Sequence, residues 1–401
     1  MPRWLLPERI SDILPSEARR IEELRRRLLD LFRSYGYELV MPPMFEYLDS
    51  LAAGSGSDLE LRMFQMVDQL SGRTLGLRAD FSPQVARIDA HLLGRKGVTR
   101  LCYCGSVLHA RPAGLTATRE PIHAGVEIYG HEGVEADVEV MELMVRSIQS
   151  ARIDLKPFPI RVDLCHMGIV PALLVGLDSI DEEEIYRLLQ TKDAPGLRLG
   201  LSGVPKTVRQ ALLALTRLHG PAQGSASVLS EARRQLPKLA ARDQVFEQLE
   251  RLVGSAVWGR LPDVELLIDF ADLRNYRYHN GVSFAAYVEG LPGAVARGGR
   301  YDGIGRAFGR ARAATGFSLE LRELAALEAL GALETGDSPL RAVRAPWSDD
   351  PALLNLIASL RTAGRVVIQS LPGHESEWQE FTCDEEISFD GRKWVSGPIR
   401  G

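Results

Sequence analysis

Between Phe64 and Tyr129 the chain supplies one strand-like segment after another, at Phe64–Val67, Thr74–Arg78, Arg100–His109 and Gly125–Tyr129, with few long helices between them. Strands that follow one another without a helical crossover pair antiparallel. The order therefore predicts an α+β chain on a largely antiparallel sheet flanked by helices, not a doubly wound parallel one. Ahead of it, Ser16 is followed by Ile21, Leu24, Leu28, Leu31 and Tyr35 at helical spacing and then by Gly36, the pattern of a capped amphipathic helix. YELVMPPMFEYL then reads as a strand. Its Pro42 and Pro43 cannot donate to a ladder, so they belong at an edge or an interface.

From about residue 171 to 261 the pattern turns helical, predicting an inserted helical subdomain that opens with the capping run SIDEEEIYRLLQ. Strands resume in VELLIDFADL and GVSFAAYVEG, and a helix from Leu319 to about Gly331 closes a large domain spanning residues 1–333. ETGDSPL, Glu334 to Leu340, reads as a linker. Residues 341–401 then read as a small α/β module. Its strand at Leu340–Ala345 precedes a helix capped by Asp350, with Pro351 in the first turn and Gly364 at the end. A strand RVVIQSL and a hairpin signal at Asp390 and Gly391 follow.

The 401 residues carry 48 basic and 53 acidic side chains, a net charge of −5, so no global cationic field draws the chain to nucleic acid or anionic lipid. RRIEELRRRLLDLFR interleaves acids with its arginines and reads as a solvated helix face. MPRWLLPERISDILP fits neither a secretory signal nor an anchor, and no later apolar run approaches the roughly 18 residues of a spanning helix. Four cysteines, Cys102, Cys104, Cys165 and Cys383, read as free thiols in a reducing cytoplasm. Cys102 and Cys104 share a strand face, but no further ligands stand at metal-binding spacing, so no metal is expected.

The stretch from Gly298 to Leu324, GGRYDGIGRAFGRARAATGFSLELREL, has the glycine and arginine content of a polyphosphate site. With LRADFSPQVAR, CYCGSVLHARPAGLTATREPIHAGVEIYG, DLRNYRYHNGVSF and the opening segment, it resembles the catalytic domain of class II aminoacyl-tRNA synthetases, specifically the histidyl enzyme. The resemblance covers most of residues 5–330. It implies a six- or seven-stranded antiparallel sheet and dimerisation through YGYELVMPPMFE, which looks like the family's first motif.

Two departures decide function. The family grips ATP with an arginine in F-R-x-E and another near the end of the third motif, because adenylate transfer builds charge that a fixed cation must meet. Leu108, His109, Ala110 and Arg111 stand where F-R-x-E falls, and Arg322 and Glu323 stand where the closing Glu-Arg falls. Loss of one such cation costs about 3 to 4 kcal/mol in the transition state.

The amino-acid pocket keeps its chemistry. By resemblance, Asp80 and Ser82 match the carboxylate and hydroxyl that hold the α-ammonium, His123 the family glutamine, and Glu127 the glutamate facing the imidazole. Arg274 matches the arginine near the substrate carboxylate, and Tyr278 and His279 the paired tyrosines. Singly, Asp80 and Arg274 also read as structural ion-pair partners, and His109, His123 and His279 as core histidines. Their joint placement points to a site for free histidine.

A domain of this kind without ATP-gripping charges, followed by a short tail, is similar to the regulatory subunits of ATP phosphoribosyltransferase. That resemblance implies no catalytic residue and no cofactor, a short-form catalytic partner, a hetero-octamer and feedback inhibition by histidine. A divergent histidyl-tRNA synthetase and an amino-acid- or tRNA-sensing module for another enzyme are the competing readings. The tail reads as too short for a full anticodon-binding domain, so tRNA is not expected as a partner.

Overall fold

Pro15–Ser34 forms a helix because Ile21, Leu24, Leu28 and Phe32 recur on one buried face, while its arginines are half-buried or exposed. Leu14, not Ser16, is its N-cap, and no side chain caps it; Pro15 starts the helix, and Gly36, at φ +84°, follows its end. In the computed structural model the described residues are 4–53, 60–114, 117–151, 159–177, 180–201, 203–274, 276–327, 340–374 and 381–399. They form two compact units, Met1–Glu328 and Ala329–Gly401.

The strands of the larger unit are, in chain order, β1 (Glu38–Leu39), β2 (Phe45–Tyr47), β3 (Gln65–Val67), β4 (Thr74–Leu77), β5 (Thr99–Ser106), β6 (Ile122–Tyr129), β7 (Ile160–His166), β8 (His219–Pro221), β9 (Val264–Asp269), β10 (Val282–Val288), β11 (Ala294–Arg300) and β12 (Ala314–Glu320). Nine of them make one sheet in the order β1-β5-β6-β12-β11-β10-β7-β9-β8, and β2-β4-β3 make a small second sheet. The six strands from β5 to β7 in that order are antiparallel throughout. The sheet is wider than the six or seven strands expected, and its flanks are mixed, because β1 runs parallel to β5 and β7 parallel to β9. YELVMPPMFEYL is also not one strand. Its prolines separate β1 from β2, which lie in different sheets, and the carbonyls of Pro42 and Pro43 accept from Arg78 and Gln84.

The helical segment from about 171 to 261 shares the main core. Ile185, Leu189, Leu212 and Phe246 pack in one cluster with Val162, Leu164 and Ile268 of the sheet, and β8 lies within the segment and pairs with β9. Asp181 caps its helix Glu182–Gln190 by accepting from the Glu184 amide. Leu319 and Glu320 belong to β12, so the closing helix starts at residue 321; it is described to 327, and its expected end lies outside the described residues.

Alternation along β6 sorts the two faces of the sheet. Ala124, Val126 and Ile128 join the large core with helices Pro15–Ser34 and Val134–Ser150. His123, Gly125, Glu127 and Tyr129 point the other way, where Tyr129 packs with Phe81, Leu101, Tyr103 and Tyr301. That second face carries the cleft.

In the smaller unit, β13 (Leu340–Ala345), β14 (Val367–Gln369), β15 (Phe381–Phe389) and β16 (Trp394–Pro398) form a sheet ordered β14-β13-β15-β16. Asp350 caps helix Pro351–Thr362 through the Ala352 amide, and its other oxygen accepts from the Trp394 indole. Asp390 and Gly391 make the β15–β16 turn. The linker expected at Glu334–Leu340 lies outside the described residues, apart from Leu340, which opens β13.

Candidate functional site

Gly125 and Gly316 open the cleft. A Cβ on Gly125 would overlap the Tyr103 ring and hydroxyl, and one on Gly316 would overlap the Glu127 carboxylate and the Tyr301 hydroxyl. Without those side chains, neighbouring strands β6 and β12 leave room for polar groups to converge above the sheet floor.

Glu127 is at the centre and is 1% exposed. Its Oε1 accepts from the Ser82 hydroxyl at 2.7 Å, while Oε2 has no hydrogen-bond partner. Burial pushes this carboxyl well above the ordinary range; the Ser82 bond opposes the shift and the Asp80 charge adds to it. Burial thus holds Glu127 toward its neutral form. Ser82 opens helix Ser82–Arg87, and its amide donates to Asp80 Oδ1 at 3.1 Å, which places Asp80 beside it.

Tyr278, His279 and Tyr301 stand together, with ring centroids 5.0 Å apart for Tyr278–Tyr301 and 6.0 Å for His279–Tyr301. The hydroxyls of Tyr103, Tyr129, Tyr278 and Tyr301, and Nδ1 of His279, are buried without a hydrogen-bond partner. Unsatisfied buried polar atoms are costly and rare in folded proteins, so this concentration around one carboxyl marks a place built to receive a polar ligand or water. Burial pushes the His279 imidazole down to about 4, against the pull of Asp80. His123, four residues along β6 from Glu127, is likewise pushed down to about 4 by burial and is also drawn upward by Asp80. Near pH 7 both rings are neutral.

Six of the seven expected site residues are thus linked. Asp80, Ser82 and Glu127 are joined by hydrogen bonds, and the Asp80 charge acts on His123, Tyr278 and His279. Arg274 differs. Its Nε and Nη2 donate to the two Asp272 oxygens, each at 2.6 Å, and Nη2 also meets the Tyr287 hydroxyl at 3.0 Å. Tyr287 lies four residues along β10 from Ser283, which is in cross-strand register with Gly299, Gly316 and Glu127. Arg274 therefore lies toward the end of the sheet where His123 sits.

The residues at the positions expected to grip a nucleotide have these surroundings. His109 is 3% exposed, with Nε2 3.0 Å from Arg62 Nη2 and 3.1 Å from the Ala79 carbonyl. Arg322 turns away to donate from Nε to Glu17 of the first helix at 3.1 Å. Glu323 is half-buried, its carboxyl raised by burial against the opposing Arg297. The Glu320 carboxylate accepts from the amides of Ile122, Arg322 and Glu323, which fixes this turn.

Tyr103, Tyr129 and Tyr301 were not singled out from the sequence. Tyr301 lies inside GGRYDG, and Tyr129 is two residues beyond Glu127 and so on its strand face, which were the available signals. All four cysteines are free. Among the described residues no group of histidines, cysteines and acids could hold a metal, and no helix is long and apolar enough to cross a membrane.

Fold and cleft together define a histidyl-tRNA synthetase-like domain of class II. The histidyl-tRNA synthetase family model matches residues 9–324, and the model for the C-terminal domain of the ATP phosphoribosyltransferase subunit HisZ matches 340–396. A solved Bacillus halodurans protein, described as an ATP phosphoribosyltransferase regulatory subunit/histidyl-tRNA synthetase, shares the fold at TM-score 0.77 and 24% identity, over 92% of this chain and 93% of that one. The histidyl-tRNA synthetase of Nostoc shares it at TM-score 0.74 and 18% identity, over 94% and 88%. Curated relatives are much nearer in sequence. Those from Cupriavidus metallidurans (57% identical over 398 residues, 99% of each chain), Cupriavidus taiwanensis (58% over 397, 98% of this chain and 99% of that one) and Burkholderia ambifaria (54% over 400, 99% and 100%) are each named ATP phosphoribosyltransferase regulatory subunit. The chain belongs to the family of ATP phosphoribosyltransferase regulatory subunits.

Proposed function

We propose that this chain is a cytoplasmic, non-catalytic subunit that partners the short-form catalytic subunit of ATP phosphoribosyltransferase and binds free histidine for feedback inhibition. The observation that carries the reading is the contrast within one cleft. A buried, unsatisfied polar pocket surrounds Glu127, while His109 and Glu323 stand where nucleotide-gripping arginines would be needed. In this reading Asp80 and Ser82 take the α-ammonium, Glu127, Tyr278 and His279 take the imidazole, His123 lines the amino-acid end, and Arg274 answers the carboxylate.

Control then follows from linkage. Histidine binds one quaternary state of the complex more tightly and opposes the active one, and a coupling of about 1 to 3 kcal/mol gives roughly 5- to 150-fold inhibition. Self-association through YGYELVMPPMFE and assembly into a hetero-octamer belong to the same reading. The exposure of Leu39, Met41 and Phe45 in that segment, at 42%, 77% and 54%, supports a contact there.

The test is copurification with the short-form catalytic subunit, followed by phosphoribosyltransferase assays with and without histidine. The expected result is a gain of activity on mixing that histidine reverses. Histidine-dependent ATP–pyrophosphate exchange by the chain alone would instead identify a divergent synthetase. Tight binding of deacylated histidine tRNA with no effect on the transferase would identify a sensing module for another enzyme.

A further inference from the structure

Arg274 is the expected ligand contact whose charge already has an answer. Its two-point fork on Asp272, with both distances at 2.6 Å, is the geometry a guanidinium uses for any carboxylate, including the α-carboxylate of an amino acid. Asp272 is two residues away on the same loop, so it competes at the high effective concentration of an intramolecular group. The surroundings add to the competition. Asp163 is raised by burial and by the charges of Asp272 and Asp269, so a carboxylate arriving at Arg274 meets a filled fork in an acidic setting. Lys192 offsets Asp269, at 2.7 Å.

We propose that Asp272 is a specificity-determining residue: an internal carboxylate that competes with the ligand's α-carboxylate for Arg274 and so sets how strongly the cleft prefers an amino acid over its carboxylate-free analogue. The proposal rests on the histidine reading above. It concerns only the carboxylate end, because both Asp272 oxygens are held by Arg274. The fork is partly solvated, with Arg274 50% and Asp272 20% exposed at the side chain. Freeing Arg274 from a pair of this kind is worth up to about fivefold in affinity.

The experiment is calorimetric titration of the full chain with histidine and with histidinol, which keeps the imidazole and amine but replaces the carboxylate by a hydroxymethyl group. Asp272→Asn is expected to tighten histidine by up to about fivefold and leave histidinol unchanged. In an Arg274→Ala background the same substitution is expected to do nothing. Asp272→Ser, with a melting curve matched to the parent, serves if the asparagine variant does not fold. If Asp272→Asn leaves histidine unchanged, weakens it, or shifts both ligands alike, the competition is overturned while the pocket stands. If the parent chain binds no histidine at all, the pocket reading falls and this inference falls with it.

Discussion

Replacing Glu127 by glutamine separates stability from ligand binding, because the same buried carboxyl affects the two in opposite directions. Burial raises its pKa above the ordinary value of 4.5, so the folded chain retains a proton that the unfolded chain releases. Folded stability therefore falls as pH rises from about 4.5 toward the folded value, at about 1.4 kcal/mol per pH unit within that window. Glutamine is neutral in both states, and its carbonyl still accepts from Ser82. Glu127→Gln is therefore expected to resist urea better than the parent at neutral pH, with the two curves converging below about pH 4.5. Binding moves the other way. Losing a charge-assisted hydrogen bond in a desolvated site costs about 1.5 to 3 kcal/mol, roughly 10- to 150-fold in histidine affinity. Urea melts across pH 4 to 8, paired with calorimetry, read both effects. A variant that is less stable at neutral pH and binds histidine as before would refute the reasoning, because Glu127 would then be a structural acid with no ligand to answer.

Asp80→Ala is expected to weaken histidine by about 2 kcal/mol, roughly 30-fold by calorimetry, through loss of the ammonium partner. The same change removes a charge that raises Glu127, so the pH-dependent loss of stability should shrink with it. His279, 8% exposed, is neutral when folded down to about pH 4 against 6.5 when unfolded. Its contribution is therefore complete above pH 6.5 and lost as pH falls toward 4, by about 3 kcal/mol. His279→Tyr should flatten that part of the acid limb in urea melts, whereas parallel acid limbs for the two proteins would show that His279 titrates normally.

The first helix, the strand run and the tail module were legible because each rests on local periodicity or capping: Ile21, Leu24 and Leu28 on one face, and Asp350 with Pro351 at a helix start. The two outermost strands of the large sheet were not. β1 is two residues long and β8 three, too short for any pattern, and their partners are set by the core they cover. Asp80, Ser82 and Glu127 were expected together from family-like segments, and hydrogen bonds through Ser82 do join them. The tyrosines around Glu127 come from separate strands and from a loop, and only the folded sheet brings them together. The Asp272 fork was hidden for another reason: resemblance assigned Arg274 to the ligand, and nothing in the spacing told a bound arginine from a free one. The structural ion-pair reading, open for both Asp80 and Arg274, fits Arg274, which pairs with Asp272.

On the proposed reading, one cleft keeps the groups to hold histidine and lacks the arginines to clamp ATP. Titrating the full chain with histidine, in one calorimetric series with and without ATP and magnesium, tests it directly. Saturable histidine binding, no heat from ATP, and a histidine affinity unchanged by the nucleotide are expected. Saturable ATP binding that strengthens with histidine would contradict it.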